Sequence, residues 1–241
     1  EAAFSYFDKA VAGTKRIDDD ALYVQIQLQR TAILQLVGRF SEAKDDLLEI
    51  RRICLKTGRR FRVAHCANDL GEIARFDGDI EAAEAYYKES LDFYESIGAT
   101  NSGWVPKVNL GILLAEQGRS LEAREYLEQV LIRLTRLNHF KVLAGLHIVL
   151  TLVAAHESEW ADWDKNFQMG RKMLEEAVII DPDAARAARL SGETCFAQGQ
   201  PERALKALHL SLSNYQRMER EEDAAIVLDI IGEVEALLSE D

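Results

Sequence analysis

The chain has 241 residues, of which 48% are hydrophobic, a proportion typical of a folded globular protein. Its formal net charge of −12 makes the surface acidic, and an acidic surface repels the phosphates of nucleic acids and of anionic membranes. We therefore expect no nucleic-acid partner and no membrane partner.

Apolar residues at helical spacing, separated by turn residues, predict twelve helices in chain order. After a leading helix at residues 2–17, the pattern alternates between the first helix, A, and the second helix, B, of successive pairs. The A helices are expected at residues 20–37, 61–77, 103–117, 139–157, 182–198 and 222–238. The B helices are expected at residues 41–57, 80–97, 120–137, 160–179 and 201–218. The pattern predicts an all-α fold.

The helix pairs repeat with a period of forty residues. Gly38, Gly78 and Gly118 stand forty residues apart, and each is expected to end an A helix. A second stop, such as Gly58 or Asn138, follows twenty residues after a first one. Both residue types tolerate the left-handed backbone found just past a helix end. A fixed period of this length is typical of a solenoid of stacked helix pairs.

Small residues recur inside the A helices, where glycine costs about 0.5–1 kcal/mol relative to alanine. Gly71, Gly111 and Gly192 stand at the same position of their repeats. A cost repeated at one position implies a repeated gain, which we interpret as close approach of each A helix to its B helix. A bulky residue of the B helix, such as Tyr87 or Leu127, would fill the space beside the glycine.

One repeat unit, at about residues 139–181, departs from the pattern. Thr151 and Ser158 occupy the glycine positions, and Trp163 occupies a position that holds alanine elsewhere. The tryptophans of this unit either fill the gaps left by the lost small residues or contact a partner protein. Asp181, followed by proline at the first helical position, then restarts the helices.

Two successive units share an ordered motif of small and bulky residues. The motif residues are Asp69-Leu70-Gly71, Gly78-Asp79, Ala83 and Tyr87 in one unit and Asn109-Leu110-Gly111, Gly118, Ala123 and Leu127 in the next. This motif resembles the tetratricopeptide repeat. The forty-residue period is similar to that of the long subtype found in scaffold adaptors and in the sensor arms of bacterial signalling ATPases and kinases. The resemblance implies a right-handed α-solenoid of antiparallel helix pairs.

The position of the chain's start within the repeat bears on domain organisation. Ala3 stands at the repeat position of Ala43, and Phe7 stands at that of Leu47, so the sequence opens inside a B helix. No low-complexity linker interrupts the pattern. We interpret residues 1–241 as a single superhelical domain and as a fragment of a larger protein.

In the tetratricopeptide repeat family, residues of the A helices line the inner, concave surface. The resemblance therefore implies that the same positions of this chain form a ligand-binding groove. The candidate groove residues are Asn68, Glu72, Arg75, Val108, Ile112, Ile148, Leu152, Arg186, Arg189 and Glu193.

The chemistry of these positions suits an extended or helical peptide. The aliphatic members would hold apolar side chains of the peptide, and the arginines would pair with its carboxylates. The alternative is that tight curvature buries the aliphatic residues against neighbouring helices. The sequence leaves both interpretations open.

The sequence lacks the usual signals of catalysis and of cofactor binding. None of the five histidines shows HExxH spacing, and no GxSxG motif occurs. Cys54, Cys66 and Cys195 are widely spaced, which favours buried, reduced cysteines in a cytoplasmic protein. We expect no enzymatic activity, no metal and no cofactor in this chain, and we assign any catalysis to other domains of the parent protein.

Two functions are consistent with these observations. The first is a protein–protein interaction or sensor module that binds a peptide or protein segment, as the scaffold or regulatory arm of a larger cytoplasmic signalling protein. Its partner could also be another domain of the same protein. The alternative is a small-molecule sensor domain of a signalling ATPase, kinase or transcription activator. A closed polar pocket near Asn68, Glu72 and Arg75 would favour that alternative.

Overall fold

The computed structural model describes residues 2–17 and 19–240, and within these residues the chain forms twelve α-helices and no strand. All the predicted helices are present, and their ends agree with the prediction to within a few residues. The all-α fold is therefore confirmed. The helices are α1 Ala2–Ile17, α2 Asp20–Leu36, α3 Phe40–Lys56, α4 Arg60–Phe76, α5 Ile80–Ser96, α6 Trp104–Glu116, α7 Ser120–Arg136, α8 Phe140–His156, α9 Trp160–Glu176, α10 Pro182–Ala197, α11 Pro201–Arg217 and α12 Glu221–Glu240.

The turns between helices use a left-handed residue, as predicted. After α4, the N–H of Gly78 donates to the carbonyl of Arg75 at 3.2 Å, and the N–H of Asp79 donates to that of Ala74 at 2.9 Å. These bonds satisfy carbonyl groups that the end of the helix leaves without partners. The residues with positive φ are Gly38, Gly58, Gly78, Gly98, Gly118, Asn138, Ser158, Val178, Gly199 and Glu219.

The predicted close approach between A and B helices is confirmed in three pairs. In each pair, a Cβ atom built on the A-helix glycine would collide with a side chain of the B helix. The closest distances would be 2.6 Å from Gly71 to Tyr87, 2.5 Å from Gly111 to Leu127 and 2.6 Å from Gly192 to Leu208. The helix pairs can pack this closely only because the glycines lack a side chain.

The α8–α9 pair achieves the same approach with the small residue on the other helix. Thr151 replaces the glycine of α8, whereas a Cβ atom at Gly170 of α9 would lie 2.6 Å from Cδ1 of Ile148. Trp163 is fully buried, and its Nε1–H donates to Ser191 Oγ at 3.0 Å. Trp163 therefore fills the core of the irregular unit, as the first of the two interpretations predicts.

The start of α10 also follows the prediction. Asp181 is the residue before the helix, and its Oδ1 accepts hydrogen bonds from the N–H groups of Asp183 at 3.0 Å and Ala184 at 3.1 Å. Pro182 occupies the first helical position. Burial raises the pKa of the Asp181 carboxyl.

The helices group into two compact units, Glu1–Asn109 and Leu110–Asp241. In the first unit, α2 packs against α3 and α4 packs against α5, around buried aliphatic residues such as Leu34, Leu47 and Leu70. In the second unit, α8 packs against α9 and α10, while α10 packs against α11.

Candidate functional site

The candidate residues of the first unit are joined by a hydrogen-bonded network on α4 and the start of α6. Asn109 Nδ2 donates to Asn68 Oδ1 at 3.1 Å and to Glu72 Oε1 at 3.0 Å. Asn68 and Glu72 are four residues apart and so lie on one face of α4. Among the described residues, nothing donates a hydrogen bond to Asn109 Oδ1. The network fixes the orientation of two side-chain amides and leaves one acceptor for a ligand.

Asp69, the acidic residue that follows Asn68 in α4, contacts both Asn68 and His65. Asn68 Nδ2 lies 3.4 Å from Asp69 Oδ1, and His65 Nδ1 lies 3.2 Å from Asp69 Oδ2. The hydrogen bond that His65 Nδ1–H donates to Asp69 raises the pKa of His65, although partial burial opposes this change. The half-exposed His65 is therefore more readily protonated than an ordinary histidine.

The two other candidate residues of this unit, Arg75 and Val108, are half-buried. The Arg75 guanidinium lies 6.0 Å from the ring centroid of Phe76, which is 67% exposed and stacks on Phe40. Val108 directly precedes Asn109 in α6. An arginine and an exposed aromatic ring therefore lie at the C-terminal end of α4.

Three of the predicted aliphatic groove residues lie in the core of the second unit. Ile112 is 4% exposed, and Ile148 and Leu152 are fully buried. For Ile148 and Leu152, the physical reason is that α8 packs against α7, α9 and α10, so residues on several of its sides are covered. This burial corresponds to the alternative interpretation, and in this structure these three side chains offer no surface to a ligand.

The candidate arginines of the second unit have acidic neighbours of their own. Arg186 Nε lies 3.2 Å from Glu116 Oε1, with the Arg186 side chain 50% exposed. Arg189 Nη1 donates to Glu193 Oε1 at 2.6 Å. A ligand carboxylate would have to compete with Glu116 and Glu193 for these guanidinium groups.

Asn109 is a functional candidate that the sequence analysis did not assign to the groove. The signal was present, because Asn109 begins the Asn109-Leu110-Gly111 motif. The family positions carried over to this chain select the neighbouring Val108 instead. Only the positions of α4 and the start of α6 show that the Asn109 amide reaches both Asn68 and Glu72.

A histidine and an asparagine form a separate, partly buried pair in the second unit. His147 Nδ1 lies 2.9 Å from Asn166 Oδ1, while Asn166 Nδ2 donates to the carbonyl of Asp162 at 2.9 Å. Since the Asn166 oxygen must accept, neutral His147 carries its proton on Nδ1. Burial lowers the pKa of His147, and the hydrogen bond with Asn166 partly opposes this effect.

The described residues contain no group of three or more histidine, cysteine, aspartate or glutamate side chains placed to hold a metal ion. Cys54, Cys66 and Cys195 are buried and unpaired. Burial raises the pKa of Cys195 to about 11, so this thiol stays protonated near neutral pH. Over the described part of the chain, no helix has the length and apolar character that crossing a bilayer requires.

A small polar pocket lies elsewhere in the first unit. It has a volume of about 260 Å³, and its lining includes the acidic residues Asp19 and Glu49 together with Arg52 and Lys56. Pockets for drug-sized ligands usually measure about 300–1,000 Å³. None of the candidate groove residues lines this pocket.

Comparison with known families identifies the repeat. Residues 22–96 match one tetratricopeptide repeat model, and residues 108–138 match another. No curated protein sequence matches the chain.

Similar solved structures share the fold at low sequence identity. A Signal Transduction ATPase with Numerous Domains from Pyrococcus horikoshii, which has a tetratricopeptide repeat sensor, is 16% identical with a TM-score of 0.71; the match covers 94% of this chain and 36% of that one. Aspartyl phosphate phosphatase F from Bacillus subtilis is 11% identical to this chain with a TM-score of 0.67. The match covers 97% of this chain and 65% of the phosphatase chain. This chain therefore spans about a third of the ATPase chain and just under two thirds of the phosphatase chain.

A third similar structure holds a bound peptide. NprR, a quorum sensor from B. thuringiensis, was solved in complex with its cognate peptide NprX. The structure of that complex is 14% identical to this chain with a TM-score of 0.63, and the match covers 92% of this chain and 66% of the NprR chain.

Proposed function

We propose that the chain, whose residues 22–96 and 108–138 match tetratricopeptide repeat models, is a non-catalytic module that binds a peptide or an extended protein segment. The observation that carries the proposal is the network in which Asn109 holds Asn68 and Glu72. The binding surface of the first unit comprises Asn109 and Glu72, with Arg75 and Val108 beside them, and the buried Asn68 supports Asn109 from below.

The chemistry of the network suits a peptide main chain. Each peptide unit presents an N–H donor, and Asn109 Oδ1 is the acceptor that the network leaves for it. Because hydrogen bonds already orient Asn68 and Asn109, ordering these side chains on binding would cost little free energy. Glu72 adds a negative charge that would favour a ligand with a nearby cationic group.

The second unit makes a smaller contribution in this proposal. Its aliphatic candidates Ile148 and Leu152 are buried, and its arginines are engaged with Glu116 and Glu193. A ligand that extends over this unit would exchange an existing ion pair for a new one. Such an exchange contributes to selectivity more than to affinity.

Peptide binding accounts for the site better than the small-molecule alternative does. A metabolite sensor would need an enclosed pocket at the polar network, whereas the polar pocket of the first unit lies away from Asn68, Glu72 and Arg75. The NprR complex shows that a protein of this fold can hold a peptide.

At a finer level, we propose that the module is a regulatory or scaffold arm of a cytoplasmic signalling protein. Two observations support this role: the similarity to the repeat-containing ATPase, and three buried, unoxidised cysteines. In that setting the bound segment belongs to a partner protein or to another domain of the same protein.

Ligand selection from a random library tests the proposal, because it requires no choice of partner. A random peptide display library is panned on the immobilised 241-residue chain, and binding of an enriched peptide is measured by isothermal titration calorimetry. The double variant Asn68→Ala/Asn109→Ala should bind that peptide at least about tenfold more weakly, since each lost amide contact costs about 1 kcal/mol or more. Circular dichroism should show the same helix content.

Two further variants sharpen this test. Gln168→Ala removes an exposed side-chain amide from α9 and should leave the affinity unchanged. The variant Arg186→Glu/Arg189→Glu shows whether the ligand reaches the second unit. If no peptide is enriched, or if the asparagine variant binds as well as the wild type, the first unit is not a peptide site.

A further inference from the structure

Three arginines lie together at the start of α4, and we name them the arginine patch. Arg59 directly precedes the helix, and Arg60 and Arg62 belong to its first turn. Among the side chains that the structure describes, no carboxylate forms an ion pair with any of the three. Arginines elsewhere have acidic partners, as Arg51 has in Glu89. In a chain with 41 acidic and 29 basic residues, this patch therefore keeps its positive charge.

The position of the arginine patch is unfavourable for α4 itself. The N-terminal end of a helix carries partial positive charge, so cations placed there are repelled. The first turn of α4 contains no acidic residue, whereas Glu42, Glu81 and Glu122 occupy the first turns of α3, α5 and α7. The three charges therefore weaken the free helix, and a bound anion would remove that repulsion.

An open pocket with an apolar part lies at the arginine patch. It has a volume of about 400 Å³, and Phe61, Ile97 and Gly58 line it together with the three arginines. Phe61 is 44% exposed and Ile97 is 37% exposed. The Phe61 ring packs edge-on against the buried Tyr94, with 5.4 Å between the ring centroids, and this contact fixes its orientation. The pocket thus offers an ordered aromatic surface to an apolar side chain.

The chemistry of the patch and the charge of its surroundings define the ligand. Guanidinium groups pair with carboxylates through two parallel hydrogen bonds. A long polyanion would extend over the surrounding surface of a chain with a net charge of −12 and be repelled there. A short acidic segment contacts the patch alone, and at physiological salt a Debye length of about 8 Å screens the more distant acidic residues.

We propose that the arginine patch and its pocket bind a short acidic segment of a partner protein. Aspartate or glutamate side chains of the segment pair with Arg59, Arg60 and Arg62. A large apolar side chain between these acidic residues lies against Phe61 and Ile97. Charge selects the segment, and the apolar contact fixes its register on the surface.

This surface is separate from the polar network at Asn109. Arg62 and Arg75 are both in α4, and their separation in sequence corresponds to about 20 Å along the helix axis. The two surfaces also differ in charge, because Glu72 of the network would repel a carboxylate. Binding at the arginine patch is therefore independent of binding at the network.

Fluorescence anisotropy of a labelled synthetic peptide tests the proposal. The probe consists of aspartate and glutamate residues on both sides of one leucine, and its anisotropy should rise to saturation as the 241-residue chain is added. Arg60→Gln/Arg62→Gln should weaken binding at least about tenfold, because charge-assisted contacts are lost. This variant should keep the helix content by circular dichroism and the thermal unfolding midpoint, since these arginines form no ion pair with a described side chain.

Matched controls separate the patch from overall charge and from the network. Arg171→Gln/Lys172→Gln removes two positive charges from exposed positions of α9 and should leave the affinity unchanged. Asn68→Ala/Asn109→Ala should also bind the probe as the wild type does. A probe with serine in place of leucine should bind more weakly, and one with asparagine and glutamine in place of the acidic residues should not bind.

Several results would overturn the proposal. They are the absence of saturable binding to the wild type, equal binding by Arg60→Gln/Arg62→Gln, and an equal loss of binding in the α9 variant. A loss in the asparagine variant would place the probe at the network instead. Displacement of the probe by a single-stranded RNA of equal charge would assign the patch to a nucleic acid, and a lowered unfolding midpoint of Arg60→Gln/Arg62→Gln would give these arginines a structural role.

Discussion

A Cβ atom at Gly71 would lie 2.6 Å from Cε1 of Tyr87, a distance that real Cβ atoms essentially never show. Tyr87 is fully buried against α4 and cannot move aside without displacing other core residues. The Gly71–Tyr87 contact therefore sets how closely α4, which carries the polar network, approaches α5.

Substitution of Gly71 by alanine tests this relationship. Alanine favours the helix by about 0.5–1 kcal/mol, but overpacking a buried contact usually costs about 1–3 kcal/mol. We therefore expect Gly71→Ala to lower the free energy of unfolding, measured by urea denaturation. Gly232→Ala, at the same repeat position but with no atom within 4 Å, should raise that free energy. Equal stabilisation by both substitutions would show that α4 and α5 are not held at contact distance.

A valine in left-handed backbone gives a second prediction. Val178 has a φ of 51° and is 71% exposed, so it has an unfavourable backbone conformation and little packing to lose. Left-handed backbone costs a residue with a Cβ atom about 1–2 kcal/mol, part of which the greater flexibility of unfolded glycine offsets. Val178→Gly should raise the thermal unfolding midpoint.

The reverse substitution is its natural control. Gly98 has a φ of 67° and open space around its Cβ position, so Gly98→Val changes the backbone preference without a clash. We expect it to lower the unfolding midpoint. If both variants change stability in the same direction, backbone conformation at these turns is not the cause.

The pair of His147 and Asn166 predicts how stability depends on pH. Burial lowers the pKa of His147 in the folded protein, so the unfolded chain binds a proton more readily. The stability that neutral His147 contributes is present above the unfolded pKa of about 6.5 and is lost as the pH falls below it. The loss of unfolding free energy between neutral and mildly acidic pH should therefore be smaller in His147→Gln than in the wild type.

His65 should act with the opposite sign. Its hydrogen bond with Asp69 raises its pKa, so its contribution is present below the unfolded pKa and is lost as the pH rises through the folded value. His65→Gln should consequently lose more stability on acidification than the wild type does. If the unfolding free energy of both variants changes with pH as it does in the wild type, neither histidine differs in pKa between the folded and unfolded chain.

Local chemistry explains why the helices could be predicted from sequence. Residues such as Gly78 and Gly118 both stop a helix and permit the left-handed turn, so their spacing gives the ends of the helices. Val178 and Glu219 adopt the same left-handed backbone although neither is a glycine or an asparagine. There, the packing of the flanking helices overrides the local preference.

Contacts between helices explain what could not be predicted. The repeat pattern does not show that Gly170 supplies the small residue missing at Thr151, because this depends on how α8 and α9 face each other. The burial of Ile148 and Leu152 likewise depends on the packing of α8 against three other helices. The role of Asn109 required the relative position of two side chains that are forty-one residues apart in sequence.

The central claim is that a bound peptide contacts the Asn109 amide, which is hydrogen-bonded to Asn68, and side-chain amide NMR of both residues tests it most directly. During titration with a peptide selected on the 241-residue chain, the Nδ2–H signals of Asn68 and Asn109 should shift as binding proceeds, while the Nε2–H signals of Gln168 stay in place. Signals of Asn68 and Asn109 that do not move, while resonances elsewhere in the protein report saturation, would contradict the account.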